Sequence, residues 1–514
     1  MFKIIKDKLF KKQSIKNNSK NEYLEWKTTS SLNNNIKLFK SIFINDDMIK
    51  YRTFGNSQNP NIRLTAIFCE GMSNGNYIDR NIIKPVVEAH LKQNDFEYIY
   101  KHVLIGSDIK KIDSVEDMVS SILYGDTLLL VDGYSEALIL ETKGWSQRSI
   151  SEPTSETVVR GPKEGFNETL MTNLSLIRKK ITNSDLKFKF KTLGERTKTK
   201  ICVCYIDGIV NKNILNEVYK RLDEIKIDAI LESGYVEELI KDSPFSPFST
   251  VGNTERPDKV AANLLEGRVA IIIDGTPHAL TVPFLFIEYF QANEDYYNGY
   301  IFSSINRMLR YLAFFISTSL PAIYVALTTF HKEMIPTPLL LSISSAREGV
   351  PLPTIAEILL MLLEFEILRE SGIRLPAPIG SAISFVGALI LGEATVAARF
   401  VSSPIVIITA LTGICNFLSP QMIGALIVVR LVFVLLSAFL GLFGYIFGII
   451  GLFIHLMSMK SFGVPYMQNI TSFNFQDIKD TQIRAPWWLM YLRPKIIGEN
   501  NLVRKEKKNN FTKR

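Results

Sequence analysis

The chain has little of what metal centres and disulfide frameworks need. Its 514 residues include four cysteines and five histidines. Cys69, Cys202, Cys204 and Cys415 match no zinc-ligand spacing, and Cys202 and Cys204 alternate along a strand-like run. Reduced, buried thiols account for them, as in a domain kept in a reducing compartment. The histidines are scattered and build no metal box. No cofactor is therefore expected. No Ser–His, Walker or zinc-protease pattern is present either, so the sequence points to no enzyme. Met1–Asn61 lacks an apolar core of signal-peptide length, so the first domain is expected to stay on the cytoplasmic side.

Formal charge is also missing, but only locally. Tyr311–Phe330, Phe400–Val429 and Leu431–Met459 carry none, with Arg430 alone between the last two. Twenty helical residues rise about 30 Å, enough to cross the hydrocarbon core of a bilayer. The overall mean hydropathy of +0.12 averages a polar first 300 residues with an apolar block after them. Between the uncharged runs lies a region broken by proline and glycine and dotted with acids: Pro336–Pro338, Arg347-Glu348-Gly349, Pro351–Pro353, then Glu357, Glu364, Glu366 and Glu370. A simple anchor has no use for acids and helix breaks flanked by spans, whereas an ion or solute path does.

The net charge of +8 is unevenly placed. Tyr311–Met459 has six basic and seven acidic residues, whereas Lys460–Arg514 has eleven basic and four acidic. A basic tail directly after a span reads as cytoplasmic and suits anionic lipid headgroups. It contains no nucleic-acid reading module, so no nucleic-acid partner is expected.

What is present in the first half is a repeat. Gly125–Gly133 (GDTLLLVDG) and Gly267–Gly275 (GRVAIIIDG) are 142 residues apart, and Ala137-Leu138 and Ala279-Leu280 keep that offset. A helical pattern precedes each, a glycine ends it in a left-handed cap, and Asp-Gly makes a hairpin turn. Leu64–Phe68 and Ile201–Tyr205 form a looser earlier pair. Two related α/β subdomains are expected. The aspartates of the Asp-Gly pairs read as turn chemistry before they read as catalytic or metal-binding groups.

The expected organisation is a basic mobile leader (1–49), an α/β subdomain (50–152), a linker helix region (153–190) and a second α/β subdomain (191–300). An all-α polytopic membrane domain of about four spans (301–459) and a basic tail (460–514) complete it. In the linker, Pro162 is expected at a helix start, with Phe166, Leu170, Leu174 and Ile177 on one apolar face and Arg178-Lys179-Lys180 at the end. Arg160 beside that helix start could hold an anion. The helix reads either as packing on its neighbours or as docking on another subunit.

Three blocks carry a family resemblance. They are Glu156 and Arg160–Phe166 with Thr172-Asn173 and Arg178–Lys180; Glu333–Leu340 with Ala346–Pro351; and Leu368–Glu370 with Arg374–Pro376, Pro378–Gly380 and Val386–Leu389. Their order and spacing resemble the A subunit of GerA-type spore germinant receptors over about Lys50 to Arg493. That resemblance implies a subunit of a nutrient receptor in the inner membrane of bacterial endospores. It implies partnership with a transporter-like B subunit and a lipoprotein C subunit, a ring-shaped homo-oligomer, and cation release on nutrient binding. It also makes Arg160, Gly161, Pro162, Glu164 and Phe166 a candidate inter-subunit motif.

The candidate pore element is Thr354–Glu370. Ile355, Ile358, Leu359, Leu362 and Leu363 read as one stripe, and Glu357 and Glu364, seven apart, lie close to one face. In a ring, such carboxylates attract cations, and leucines can close the path by dewetting. The same pattern reads as an interfacial amphipathic helix. A secondary transporter is the alternative to a channel, since broken helices and intramembrane acids suit both.

Overall fold

The computed structural model describes residues 26–504 except 92–95, 107, 145–152, 154–155, 376–391, 469–479, 491, 494–496 and 498–502. The leader up to residue 25, the end of the tail, and Pro376–Gly380 and Val386–Leu389 of the third family block lie outside the described residues. The chain divides into two compact units, one of 1–240, 251–283 and 490–514, the other of 241–250 and 284–489.

The first unit holds α1 (Leu32–Ile42), β1 (Ile49–Gly55), β2 (Arg63–Cys69), β3 (Ile109–Ile112), α2 (Val115–Leu123), β4 (Thr127–Val131) and β5 (Ala137–Leu140). It continues with α3 (Leu170–Lys180), β6 (Leu186–Leu193), β7 (Thr199–Ile206), α4 (Lys212–Glu224), α5 (Ser233–Ile240), β8 (Gly252–Thr254), α6 (Pro257–Glu266), β9 (Val269–Ile273) and β10 (Ala279–Val282). Two antiparallel five-stranded sheets result, in the order β1-β2-β4-β5-β3 and β6-β7-β9-β10-β8.

The two sheets repeat each other residue by residue. Ile49 pairs with Cys69 and Leu186 with Ile206, an offset of 137. Thr127 pairs with Leu140 and Val269 with Val282, an offset of 142. The central strands β4 and β9 are buried along their whole length, which is why they read as continuous apolar runs. Gly125 and Gly267 both have φ of +100°, the left-handed conformation that ends a helix without a Cβ clash.

The repeat reaches further upstream than the sequence suggested. The helix expected within a linker is α3, and it is the counterpart of α1 in the expected leader, at an offset of 138. In the first copy Asn35 Oδ1 accepts from Thr29 N (2.8 Å), and its amide donates to Thr29 O (2.7 Å). In the second, Asn173 makes the same pair with Asn167, at 2.8 and 2.5 Å. Asp132 Oδ1 accepts from Leu32 N at 3.1 Å, and Asp274 Oδ1 accepts from Leu170 N at 3.0 Å. The Asp-Gly carboxylates therefore satisfy the free N–H groups of a helix start.

Helices α1, α2, α3 and α6 share one core with alternate residues of both sheets, among them Phe39, Leu174, Ile177, Met118, Leu264, Leu130, Cys202, Cys204 and Ile272. The two copies are also locked by charge. Arg178, fully buried at the end of α3, pairs with fully buried Asp46 ahead of β1. Its Nη1 donates to Asn183 O and Leu186 O, and its plane lies 4.6 Å from the Phe188 ring centroid. Asp47 accepts from Phe190 N at 3.0 Å and Lys189 Nζ at 3.1 Å.

The second unit is mainly helical: α7 (Tyr300–Thr329), α8 (Thr337–Ala346), α9 (Thr354–Arg374), α10 (Ser403–Asn416) and α11 (Ile423–Ser458). Among the described residues two stretches are long and apolar enough to cross a membrane, Tyr300–Thr329 and Pro420–Ser458, with mean hydropathies of 1.6 and 2.7 in their most apolar parts. The second is not straight. Gly441 has φ 60° and ψ −142°, outside helical space. The rings of Phe433 and Tyr445 lie 5.7 Å apart, although twelve residues of straight helix would separate them by about 18 Å. A Cβ on Gly444 would come within 2.1 Å of Leu436 O. So α11 is a hairpin of two arms, 423–440 and 442–458, packed closely through glycine. The break falls at Gly441, and Arg430, the charge between the two uncharged runs, lies inside the first arm.

Removing one partner of the Arg178–Asp46 pair leaves a buried charge alone. Asp46→Asn is expected to destabilise the protein by about 3–5 kcal/mol, lowering the midpoint of thermal unfolding followed by circular dichroism. An unchanged midpoint would show that the lock contributes nothing.

Candidate functional site

Two places gather the residues that the sequence singled out. The first is the strap Glu156–Phe166. It is not helical: α3 starts at Leu170, with Thr169 before it, so Pro162 does not open a helix. The strap is instead held as an extended segment by Arg256, which is 1% exposed. Arg256 Nη2 donates to Pro162 O (2.8 Å) and Nη1 to Glu156 O (3.2 Å), while Asp258 takes its Nε and Nη2 at 3.1 and 2.8 Å. Glu156 bonds Lys259 Nζ at 2.9 Å and the Thr254 hydroxyl. Phe166 N donates to Glu255 O at 2.8 Å, and its ring enters the shared core.

Arg160 and Gly161 are exposed, and Gly161 has a φ of +141°. Arg160 lies ten residues before α3 begins, which removes the helix start that was expected to share an anion with it. Glu164 pairs with Lys180 (2.9 Å) and Lys179 (3.4 Å) on the last turn of α3. The hydrogen bond from Lys180 and then the charges of both lysines hold the Glu164 carboxyl below its ordinary value. Sequence reasoning missed Arg256 and Glu156 as partners. The visible signal was the Glu255-Arg256-Pro257-Asp258 run at the start of α6, where a charged residue precedes Pro at the first helical turn.

The second place is the start of α9. Glu357 is fully buried. Its Oε2 accepts from Ser402 N and Ser402 Oγ, both at 2.8 Å, and its Oε1 lies 3.3 Å from Arg347 Nη2. Ser402 precedes α10, so the carboxylate caps that helix from α9, where the helix dipole favours an anion. Arg347 follows α8. One carboxylate thus ties three segments together. Gly349 has a φ of +84°, so the turn between α8 and α9 requires glycine for its conformation, and the Arg399 guanidinium lies close over it. Further along α9, Glu366 bridges Arg369 and Arg430, each at 2.8 Å, and Arg430 is 2% exposed.

This arrangement divides the four residues expected to face one path. Glu357 and Leu362 are on the packed side; Leu362 joins Ile358 and Met361 in the core of this unit. Leu363 is 62% exposed and Glu364 half-buried, beside exposed Leu360 and Ile367. Leu363 therefore does not belong to the stripe of Ile358 and Leu362. The cause is angular: at about 100° per residue Leu363 falls with Leu360, Glu364 and Ile367, spaced i, i+3, i+4 and i+7, on a stripe other than that of Ile358 and Leu362.

Among the described residues no group of three His, Cys, Asp or Glu could hold a metal ion. A cavity of about 400 Å³ beside the β6–β7 turn is lined by Thr197, Lys198, Lys200 and Asp274 among others, and Asp274 is already committed to the start of α3.

Over residues 37–496 the chain matches the family described as Bacillus/Clostridium GerA spore germination protein. It is 46% identical over 450 residues to spore germination protein KA of Bacillus subtilis (strain 168), covering 87% of this chain and 83% of that one. It is 38% identical over 477 residues to spore germination protein B1 of the same organism, covering 90% and 97%. The crystal structure of the N-terminal domain of the A subunit of the Bacillus megaterium spore germinant receptor GerK3 is 35% identical in sequence. It covers 51% of this chain and 98% of that domain, with a TM-score of 0.39.

Two outcomes test these sites. Glu357→Gln keeps the shape but removes the charge that holds Arg347 and caps α10, so a loss of about 2 kcal/mol is expected in thermal unfolding. Stability equal to wild type would place the carboxylate outside the fold's support. The Glu164 carboxyl, depressed in the folded state, contributes stability above its unfolded value, and that stability is lost as pH falls through the folded value. Glu164→Gln should therefore lose less stability than wild type between about pH 5 and pH 3. Parallel curves for the two proteins would contradict this.

Proposed function

The chain belongs to the GerA family of Bacillus/Clostridium spore germination proteins, and from that premise we propose that it is a subunit of a nutrient germinant receptor that assembles into a ring and opens a cation path. In this reading residues 301–459 of the second unit lie in the spore inner membrane. The first unit and the basic tail face the cytoplasm, and a transporter-like B subunit and a lipoprotein C subunit complete the receptor. The sufficient length and apolarity of α7 and the two-armed α11 support membrane embedding.

The observation that carries the channel reading is the two-sidedness of α9. The first turn is engaged within the subunit through Glu357, and so is the side that carries Ile358, Met361 and Leu362. The other leaves Leu360, Leu363 and Ile367 exposed, with Glu364 half-buried among them. A carboxylate in an exposed apolar stripe gains nothing from hydrocarbon but suits a water-filled path at a ring's centre. We assign the path to Leu363 and Glu364 in place of the full set that includes Glu357 and Leu362, which hold the subunit together. The strap with Arg160, Gly161 and Pro162 outward remains the proposed inter-subunit motif.

Potassium release from spores carrying single variants tests the assignment, with protein levels checked by immunoblot. Glu364→Gln should reduce nutrient-triggered release to roughly half or less, because a ring of such carboxylates would lose its charge. Leu363→Ala should leak potassium without nutrient. Normal release by the first and no leak from the second would remove α9 from the path.

A further inference from the structure

Helix α7 is longer than a bilayer core is thick. Its 30 residues span about 45 Å against about 30 Å of hydrocarbon. Several turns must lie outside the core. At the end that begins with Tyr300, Ile301, Phe302 and Ile305 are each more than half exposed. The basic residues of this end are not on that surface. Arg307 is fully buried between Asp295 and Asp480, and Arg310 makes two bonds of 2.9 Å to Asp295.

Against this end lies Pro486-Trp487-Trp488-Leu489. The Trp488 ring meets Tyr300 edge-on with centroids 5.5 Å apart, and Trp487 lies 6.1 Å from Tyr296. Trp487 Nε1 donates to Tyr296 O at 3.2 Å, so its only polar group is already paired. Arg484, buried, stacks on the Trp487 ring at 5.5 Å. Yet Trp487 and Trp488 are 51% and 55% exposed and Leu489 is 46% exposed. Two neighbouring half-exposed indoles, continuous with an exposed apolar helix face, are a costly surface to leave in water.

We propose that Trp487, Trp488 and Leu489, with Tyr300, Ile301 and Phe302, form an anchor seated in the headgroup–acyl boundary of a phospholipid bilayer. The anchor fixes the depth of the first turns of α7. It rests on the membrane-embedded reading of this unit. The occupant is lipid because the patch runs directly into Ile305, Met308, Leu312 and Phe315, the outward residues of the same helix. Tryptophan and tyrosine are the side chains favoured at headgroup level, where an apolar ring and a polar edge are both served.

The test uses the full chain in nanodiscs of phosphatidylcholine brominated either near the headgroup end or near the methyl end of its acyl chains. The sequence has four tryptophans, so Trp26→Phe and Trp145→Phe leave only the pair. Bromines near the headgroup should quench the pair roughly twofold more than bromines near the methyl end. Trp487→Phe and Trp488→Phe, made singly, should each leave one quenched indole. A reference variant combines all four Trp→Phe changes with Leu312→Trp, which lies about 18 Å along α7 from Tyr300, near the middle of the hydrocarbon core. It should show the opposite preference. Quenching of the reference but not of the pair would overturn the anchor and leave the membrane reading standing; a blue-shifted, unquenched pair would assign the patch to protein contact. No quenching at either position would remove the membrane reading and the anchor with it.

Discussion

A guanidinium cannot be left alone in a protein interior, and among the described residues the three largest fully buried side chains are Arg178, Arg256 and Arg307. Withdrawing each from water costs several kcal/mol, recovered only when partners stand at fixed distances and angles. Each therefore specifies a junction that apolar packing would leave free to slide. Arg178 fixes one subdomain to the other through Asp46. Arg256 fixes the strap to the start of α6. Arg307 fixes the first turns of α7 to the segment around Asp480.

The first of these locks also shows how a duplicated fold becomes asymmetric. At the repeat's offsets, Arg178 corresponds to Lys40 and Phe188 to Tyr51. Both pairs place a cation over a ring, at 4.6 Å in one copy and 5.6 Å in the other. Lys40 stays exposed, however, while Arg178 is buried and has Asp46 to meet it. The residue corresponding to Asp46 in the second copy is Asn183, which makes the same turn hydrogen bonds but has no charge to offer. Lysine's hydrated point charge tolerates the surface, and arginine's planar fork suits an enclosed site with several acceptors. One pair of substitutions in an otherwise repeated frame thus turned a surface contact into the lock between the copies.

How much of this was legible in the sequence follows from where the repeat kept its spacing. The runs Gly125–Gly133 and Gly267–Gly275 are similar in pattern and share one offset, and they led directly to β4, β9 and their hairpins. The opening helices were not recognised as part of the repeat because the offset there is 138 instead of 142, and because one lies near a basic leader and the other follows a proline-containing strap. The signal was present in Leu32 and Asn35 against Leu170 and Asn173, residues whose hydrogen bonds are repeated in both copies. In the helical unit, Arg430 is the charge within an otherwise apolar run, yet the run breaks at Gly441. A charge paired with Glu366 does not interrupt a helix, whereas a glycine at φ 60° does.

The same distinction, between a charge that is paired and one that is not, orders the acidic residues of α9. Sequence spacing alone put Glu357 and Glu364 together, because residues seven apart share a helix face. Pairing separates them. Glu357 spends both oxygens on Ser402 and Arg347, and Glu366 spends both on Arg369 and Arg430. These carboxylates balance arginines of the same subunit and make its helices cohere, so removing one exposes a buried charge and changes the fold before it changes any path. Glu364 stands on the side of the helix where Leu360, Leu363 and Ile367 face outward. A helix that pairs its buried acids with groups of its own subunit and leaves one acid among outward leucines keeps the contacts that support the fold apart from those it offers outward. That separation lets Glu364 and its exposed neighbours be altered without breaking the pairs that hold the helices together.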